Sequence, residues 1–493
     1  MNKPPPVSHS PGQRQHAPAV WLLVGSTLTS LVLLSGCKVG PDFHPPQAKV
    51  PAGFTGVTNA PGASRSQVRA QPPTDLAQWW RQFNDPTLTG LVEAAIQTNL
   101  DLQLAQARVR QARASRGVVA GGLWPGLSAS GGYARQNFGR DRAGGSGERD
   151  LFQTGLDAIW EVDLFGGVRR NVESAAANIV AAQEGLRAVQ VSLAAEVALN
   201  YLQLRGFQQQ ILIAQNNLKA QQHTAELTRQ GFQAGFVSGL DVANANAQMA
   251  ATRSQIPVLQ SAAQQAIYAL SVLLARSPGA LVPELAATEP LPVTPPDVPI
   301  GLPSELLRRR PDIRQAEAQL HAATAQIGVA VADLFPKFSL TGSLSYQNNL
   351  VENLFAGASR FSSFGPQVSW PIFQGGSIRA NVRVQQALRD QSYITYQKTV
   401  LTALQDVENA LIAFEKEWEH RQALNEAVEA NRKAVDLSMQ LYTQGQIDFL
   451  NVLNAQRSLF LSEDALVQST RSTATDLIAV YKALGGGWEL PHP

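Results

Sequence analysis

Two stretches of this chain align without gaps at an offset of 210 residues: Ala234-Gly-Phe-Val-Ser-Gly-Leu-Asp-Val-Ala-Asn-Ala245 and Gln444-Gly-Gln-Ile-Asp-Phe-Leu-Asn-Val-Leu-Asn-Ala455. Similar offsets link Leu123-Trp-Pro125 to Leu334-Phe-Pro336, and Leu164-Phe165 to Ile372-Phe373. Internal repetition at such a period makes one structural unit the building block, so each element must be explained twice. The repeats span 37–282 and 304–493. Between them the Pro-rich stretch 283–303 (PELAATEPLPVTPPDVPIGLP) forbids continuous helix and reads as a linker.

Within each repeat the order is helix, two strands, long helix, turn, long helix. Gly167 to Gly231 contains no proline, and Val197, Leu204, Ile211, Leu218 and Ala225 recur at sevens. Leu404, Leu411, Trp418 and Val428, Val435, Tyr442 repeat that spacing in the second half. This is the seam of a coiled coil. It predicts long helices over 167–231 and 237–274, then 377–443 and 449–484; the first would be roughly 97 Å long.

Ahead of each helix pair lie segments that alternate with period two, predicting hairpins over 122–164 and 334–373. Leu127, Ala129, Gly131 and Tyr133 oppose Ser128, Ser130 and Gly132. Phe152, Thr154, Leu156, Ala158, Trp160, Val162 and Leu164 oppose Gln153, Gly155, Asp157, Glu161 and Asp163, with Ile159 out of pattern. In the second repeat, Leu340, Gly342, Leu344 and Tyr346 oppose Thr341, Ser343, Ser345 and Gln347. The fourth set, Phe364, Val368, Trp370 and Ile372, opposes Gly365, Gln367 and Ser369. Each segment has roughly the 9–11 residues of a membrane-spanning strand. A soluble sheet layer would alternate in the same way.

The N-terminus bears on that choice. Residues 1–19 are polar, with Lys3 and Arg14, and the apolar run Val20–Leu34 is short for a permanent helical span. Leu34-Ser35-Gly36-Cys37 matches a bacterial lipobox, and Cys37 is the only cysteine in the chain. Residues 1–36 therefore read as a lipoprotein signal peptide and Cys37 as the lipid-attachment site, the only covalent group expected. Lys38, in place of an inner-membrane retention Asp, favours the outer membrane. Without Lys3 and Arg14 the charges balance, 38 against 38, so there is no basic field for nucleic acid. A mean hydropathy of −0.11 excludes a bundle of membrane helices. In lipid only closed barrels satisfy every backbone group. Four strands cannot close, since the smallest barrels need about eight, so copies must pool strands.

Together these motifs resemble the outer-membrane factor (TolC-type) family, most closely its NodT/OprM-like efflux lipoprotein branch. The resemblance begins at Cys37-Lys-Val-Gly-Pro-Asp-Phe and runs through Trp79-Trp80, Phe83 and Asp85-Pro86. It continues with Arg309-Arg-Pro-Asp-Ile313, Ala316-Glu317 and Leu334-Phe-Pro336, and closes at Tyr481-Lys-Ala-Leu-Gly-Gly-Gly-Trp488. What it implies is an α+β membrane protein that works as a homotrimer. Four β-strands per chain would contribute to a trimeric 12-stranded barrel above a long α-helical coiled-coil barrel. It also implies a passive conduit, not an enzyme, working with a periplasmic adaptor and an inner-membrane pump, of the RND type in this branch, to export drugs or other small molecules. No cofactor is implied beyond the lipid on Cys37. Three Met residues give little support for a copper relay.

In that family the helical turns dock the adaptor and close the pore. The resemblance assigns docking to Gly235, Ser238, Leu240, Ala245, Gly445 and Leu450, and the gate to Asp241, Asp448, Asn451 and Asn454. Gly235 and Gly445 suit helix ends, and Ser238 and Asp448 can cap the next helices. Asn454 stands where the family carries an aspartate, and Asn451 likewise. Three carboxylates pressed together repel, whereas three Asn share hydrogen bonds, so a constriction with less cation preference is expected. His223, His321 and His420 read as solvated helix residues, and Arg308-Arg309-Arg310 as a surface cluster at the start of a helix. The same architecture also suits a duct for type I protein secretion. A third reading is a periplasmic coiled-coil lipoprotein or enzyme.

Overall fold

The computed structural model describes residues 38–48, 50–54, 68–70, 76–138, 147–294, 298–300 and 303–489; Cys37 and the signal segment lie outside them. The strands are β1 (Val68–Ala70), β2 (Gly126–Phe138), β3 (Gly147–Val162), β4 (Val298–Ile300), β5 (Lys337–Asn348) and β6 (Arg360–Ser369). The helices of the first repeat are α1 (Pro86–Thr98), α2 (Leu100–Gly121), α3 (Gly167–Gln233) and α4 (Gly239–Leu273). After the short α5 (Val282–Leu285) and α6 (Pro303–Arg309) come α7 (Pro311–Ala332), α8 (Ser377–Thr443) and α9 (Phe449–Ala483). The long pairs have equal lengths in the two repeats, 67 and 35 residues.

The described residues fall into two compact units. One holds 38–41, 120–171 and 326–383 and is built on an antiparallel sheet in the order β2-β3-β5-β6. Its register aligns the apolar sets from all four strands. Ala129 faces Leu156 and Leu156 faces Leu344, while Ala158 faces Gly342 and Gly342 faces Phe364. Because side chains alternate along a strand, one face gathers these apolar residues, with Thr154 and Ser362 among them and Arg135, Asp150 and Arg360 towards the loop ends, and the other carries Ser128, Asp157, Ser343 and Ser363. Ile159 and Phe361 interrupt the polar face. The apolar face is not a core: Leu127, Leu156, Leu344 and Phe364 are all exposed.

The other unit holds 42–119, 172–325 and the described residues from 384 onward. Its core is aromatic at the centre. Trp79 and Trp80 are wholly buried, and Trp79 stacks on Tyr481 with ring centroids 5.3 Å apart. Leu202 and Leu204 of α3, Leu270 of α4, Phe414 of α8 and Leu477 of α9 pack around them. Asp85 starts α1 by accepting from Leu88 N at 2.9 Å, with Pro86 in the first turn, where its missing N–H is harmless.

The linker is more ordered than its prolines suggest. α5 forms one turn, and β4 pairs in parallel with β1, Pro299 opposite Arg69.

Candidate functional site

The two helical turns repeat one design. Gly235 (φ 80°) ends α3, with Gly235 N donating to Phe232 O at 3.0 Å and Phe236 N to Gly231 O at 2.8 Å. Gly445 (φ 72°) ends α8 with the matching pair, to Tyr442 O and from Gln446 N to Leu441 O, both 2.9 Å. These are Schellman closures, and the left-handed conformation they need is one glycine adopts without strain.

The next helices start differently. Ser238 caps α4 in a full capping box: its Oγ accepts from Asp241 N, and Asp241 Oδ2 accepts from Ser238 N at 3.0 Å and from Ser238 Oγ at 2.8 Å. The Asp241 carboxylate is therefore committed within its own turn. Asp448 occupies the cap position of α9, yet its side chain makes no cap hydrogen bond. The residue three on is Asn451, which supplies no carboxylate to reach back. Asn451 and Asn454 are exposed, as are Leu240 (68%) and Leu450 (55%). Ala245 differs from the other docking residues. It is 4% exposed, packed inside the helical unit, and offers nothing to a partner.

Within the sheet unit, the residues after Cys37 are held in place. Val39 N donates to Phe165 O at 3.1 Å, and the buried Arg170 donates from Nε to Val39 O at 3.1 Å. Gly40 (φ 86°) lies so close to α7 that a Cβ there would sit 2.5 Å from Gly328 Cα. Aromatic side chains mark the strand ends nearby. Trp160 Nε1 donates to Leu123 O at 3.0 Å and Trp370 Nε1 to Leu334 O at 3.1 Å, and Phe165 stacks on Phe335 at 4.5 Å.

Two sequence readings need correction. Arg310 is not a surface residue. It is buried, forks onto Asp312 at 3.1 and 2.7 Å, and reaches Asp406 at 3.0 Å and Ala483 O at 3.0 Å. Burial is possible because two carboxylates and a carbonyl satisfy the guanidinium. Its sequence signal is the acid two residues on, at the start of a helix. Nor are the histidines all merely solvated: the partly buried His321 has its Nε2 3.2 Å from Glu173 Oε1 and stacks on Phe43, whereas His420 is exposed, as expected, with Nδ1 3.4 Å from Glu417. Among the described residues no cluster of His, Cys, Asp or Glu could hold a metal, and no helix is long and apolar enough to cross a membrane.

The duplication, the four exposed strands and the paired turns have a counterpart in known proteins. The profile of the outer membrane efflux protein family matches twice, over residues 91–276 and 302–486. This chain belongs to that family. Nodulation protein T of Rhizobium leguminosarum bv. trifolii is 33% identical over 466 residues, 93% of this chain and 96% of that protein. The pyoverdine export outer membrane protein OpmQ of Pseudomonas aeruginosa is 36% identical over 424 residues, 84% and 88% of the two chains. The solved outer-membrane channel OprN superposes with a TM-score of 0.84 at 38% identity, covering 92% of this chain and all of that one. Family membership places the chain in the outer membrane and gives it a channel's part in efflux.

Proposed function

We propose that three copies of this chain form the outer-membrane conduit of a tripartite efflux system, through which small molecules leave without chemistry at the protein. One observation carries this reading: a four-stranded antiparallel sheet with an exposed, largely apolar face and two unpaired edges, β2 and β6. Lipid is the solvent for such a face, and neighbouring copies close such edges. β2 and β6 run antiparallel to each other, so β6 of one copy can continue the pattern onto β2 of the next. Three copies supply twelve strands and a polar lumen face. The indoles at the strand ends suit a membrane interface. Lipid on Cys37 would anchor the residues docked on Phe165 and Arg170 to the same membrane.

The helical turns form the periplasmic gate and the surface for an adaptor, which in turn engages an inner-membrane pump of the RND type. Leu240 and Leu450 present apolar contacts there. Asp448 supplies an uncommitted acidic ring and Asn451 and Asn454 the neutral ones, so the closed constriction has only weak preference for cations. Conductance of the purified protein in planar bilayers tests this. Weak cation selectivity, lowered further by Asp448→Asn and unaltered by Asn454→Ala, is the expected result. Strong cation selectivity that disappears in Asn454→Ala and survives both Asp241→Asn and Asp448→Asn contradicts it.

A further inference from the structure

Each 35-residue helix is followed by a segment fastened back onto α3, and the two segments are built differently. After α4 the closing turn puts Ala275 at φ 56°, with Ala275 N donating to Val272 O at 2.9 Å and Arg276 N to Ser271 O at 2.8 Å. The linker beyond is tied to α3 by side chains. Gln208 Nε2 donates to Leu285 O at 2.8 Å, and the buried Arg205 donates to Ala287 O at 2.9 Å and pairs with Glu289. After α9 the same closure recurs 210 residues on: Gly485 N donates to Lys482 O and Gly486 N to Tyr481 O, both at 3.0 Å.

The segment after α9 docks more closely than the linker does. Where the first repeat has Arg276 the second has Gly486, and a Cβ there would sit 2.9 Å from Leu76 O and 3.2 Å from Trp79 Cδ1. Gly485, Gly486 and Gly487 are all buried. The Trp488 ring then lies over two guanidinium groups, its centroid 4.5 Å from Arg187 Cζ and 5.6 Å from Arg314 Cζ. Arg187 belongs to α3 in the first repeat and Arg314 to α7 in the second. Both pair with Glu184, which is 2% exposed, at 2.6 and 2.8 Å. Finally, Arg309 Nη2 donates to the two oxygens of Glu489 at 2.9 and 3.0 Å. The Trp488 ring is thus a lid on an ion cluster that joins the repeats, and keeping water from such a cluster strengthens it.

Every partner of residues 485–489 lies upstream of α9, remote in the chain, and the segment has no helix or strand of its own to hold it. It can dock only once residues 76–80, α3 and the start of α7 stand together, because distant contacts form after the closures that make them possible. We infer that residues 485–489 are a strap that opens first and closes last, holding the two repeats together over the Glu184 cluster. At equilibrium those are one event read in two directions. The linker performs the matching task for the first repeat through Arg205 and Gln208, but between two folded repeats it has no such freedom.

Amide hydrogen exchange of the full-length protein in detergent, with two variants, tests the strap. In wild type, residues 180–190 and 309–316 are expected to exchange faster, corrected for intrinsic rates, than residues 263–270, whose apolar side chains pack in the aromatic core. Gly486→Ala is a wedge that sets a methyl group against Leu76 O and leaves every named side chain in place. Trp488→Ala removes the lid. Each should speed exchange at 180–190 and 309–316 on the order of tenfold, with 263–270 unchanged. Equal rates in wild type overturn the inference. So does a response to only one of the variants, since either should release the same strap. Equal acceleration of all three regions also overturns it, because the segment would then be one more part of the core.

Discussion

Asp476, half-buried on α9, has its carboxyl pushed from 3.8 up to about 6, chiefly by burial and further by the negative charge of Glu417. Below pH about 4 both folded and unfolded chains hold the proton and nothing is lost. Between about 4 and 6 the folded protein keeps a proton the unfolded chain has released, so stability falls as pH rises through that window and stays lowered above it. Asp476→Asn removes the penalty. Its melting temperature should match wild type near pH 4 and exceed it from pH 6 upward, a gap measurable by scanning fluorimetry. A gap of the same size at every pH would show that burial of this carboxylate is not its cause. Features at the residue scale are the least legible in the sequence. Ser238 is readable as a cap because Asp241 stands three residues later. Arg310 looks like a surface residue because its second acid, Asp406, is remote in the chain, and burial of Ala245 likewise depends on which helix packs over it.

Elements are far more legible, because helix and strand periods are local. The Pro-free, heptad-bearing stretches are the 67-residue helices α3 and α8, and the alternating segments are β2, β3, β5 and β6. What local pattern cannot carry is pairing over long separations, such as β1 with β4. The strand faces make a prediction at this scale. Leu344 lies on the apolar face of β5 and Ser343 on the polar one. Leu344→Arg places a charge in lipid near mid-strand and should destabilise the folded barrel by about 2–4 kcal/mol. Ser343→Arg should be tolerated and change conductance instead. Heat-modified gel migration and urea unfolding distinguish the two. The reverse pattern would turn the sheet inside out.

At the scale of the whole molecule, what matters is how much a single chain leaves unfinished. Its sheet has two open edges and an apolar face that its own residues do not cover, while its helical unit has a complete aromatic core around Trp79, Trp80 and Tyr481. Open strand edges and an uncovered apolar face are what assembly through the sheet requires. Strand count and backbone hydrogen bonding alone make that need for partner copies legible in the sequence, whereas the number of copies comes by resemblance. The most direct test is native mass spectrometry of protein released from detergent, with single-channel recording on the same fractions. The account predicts a mass of three chains in every fraction that conducts, and no conductance from single chains. Conducting monomers, or a stable monomer whose four strands are folded in water, would contradict it.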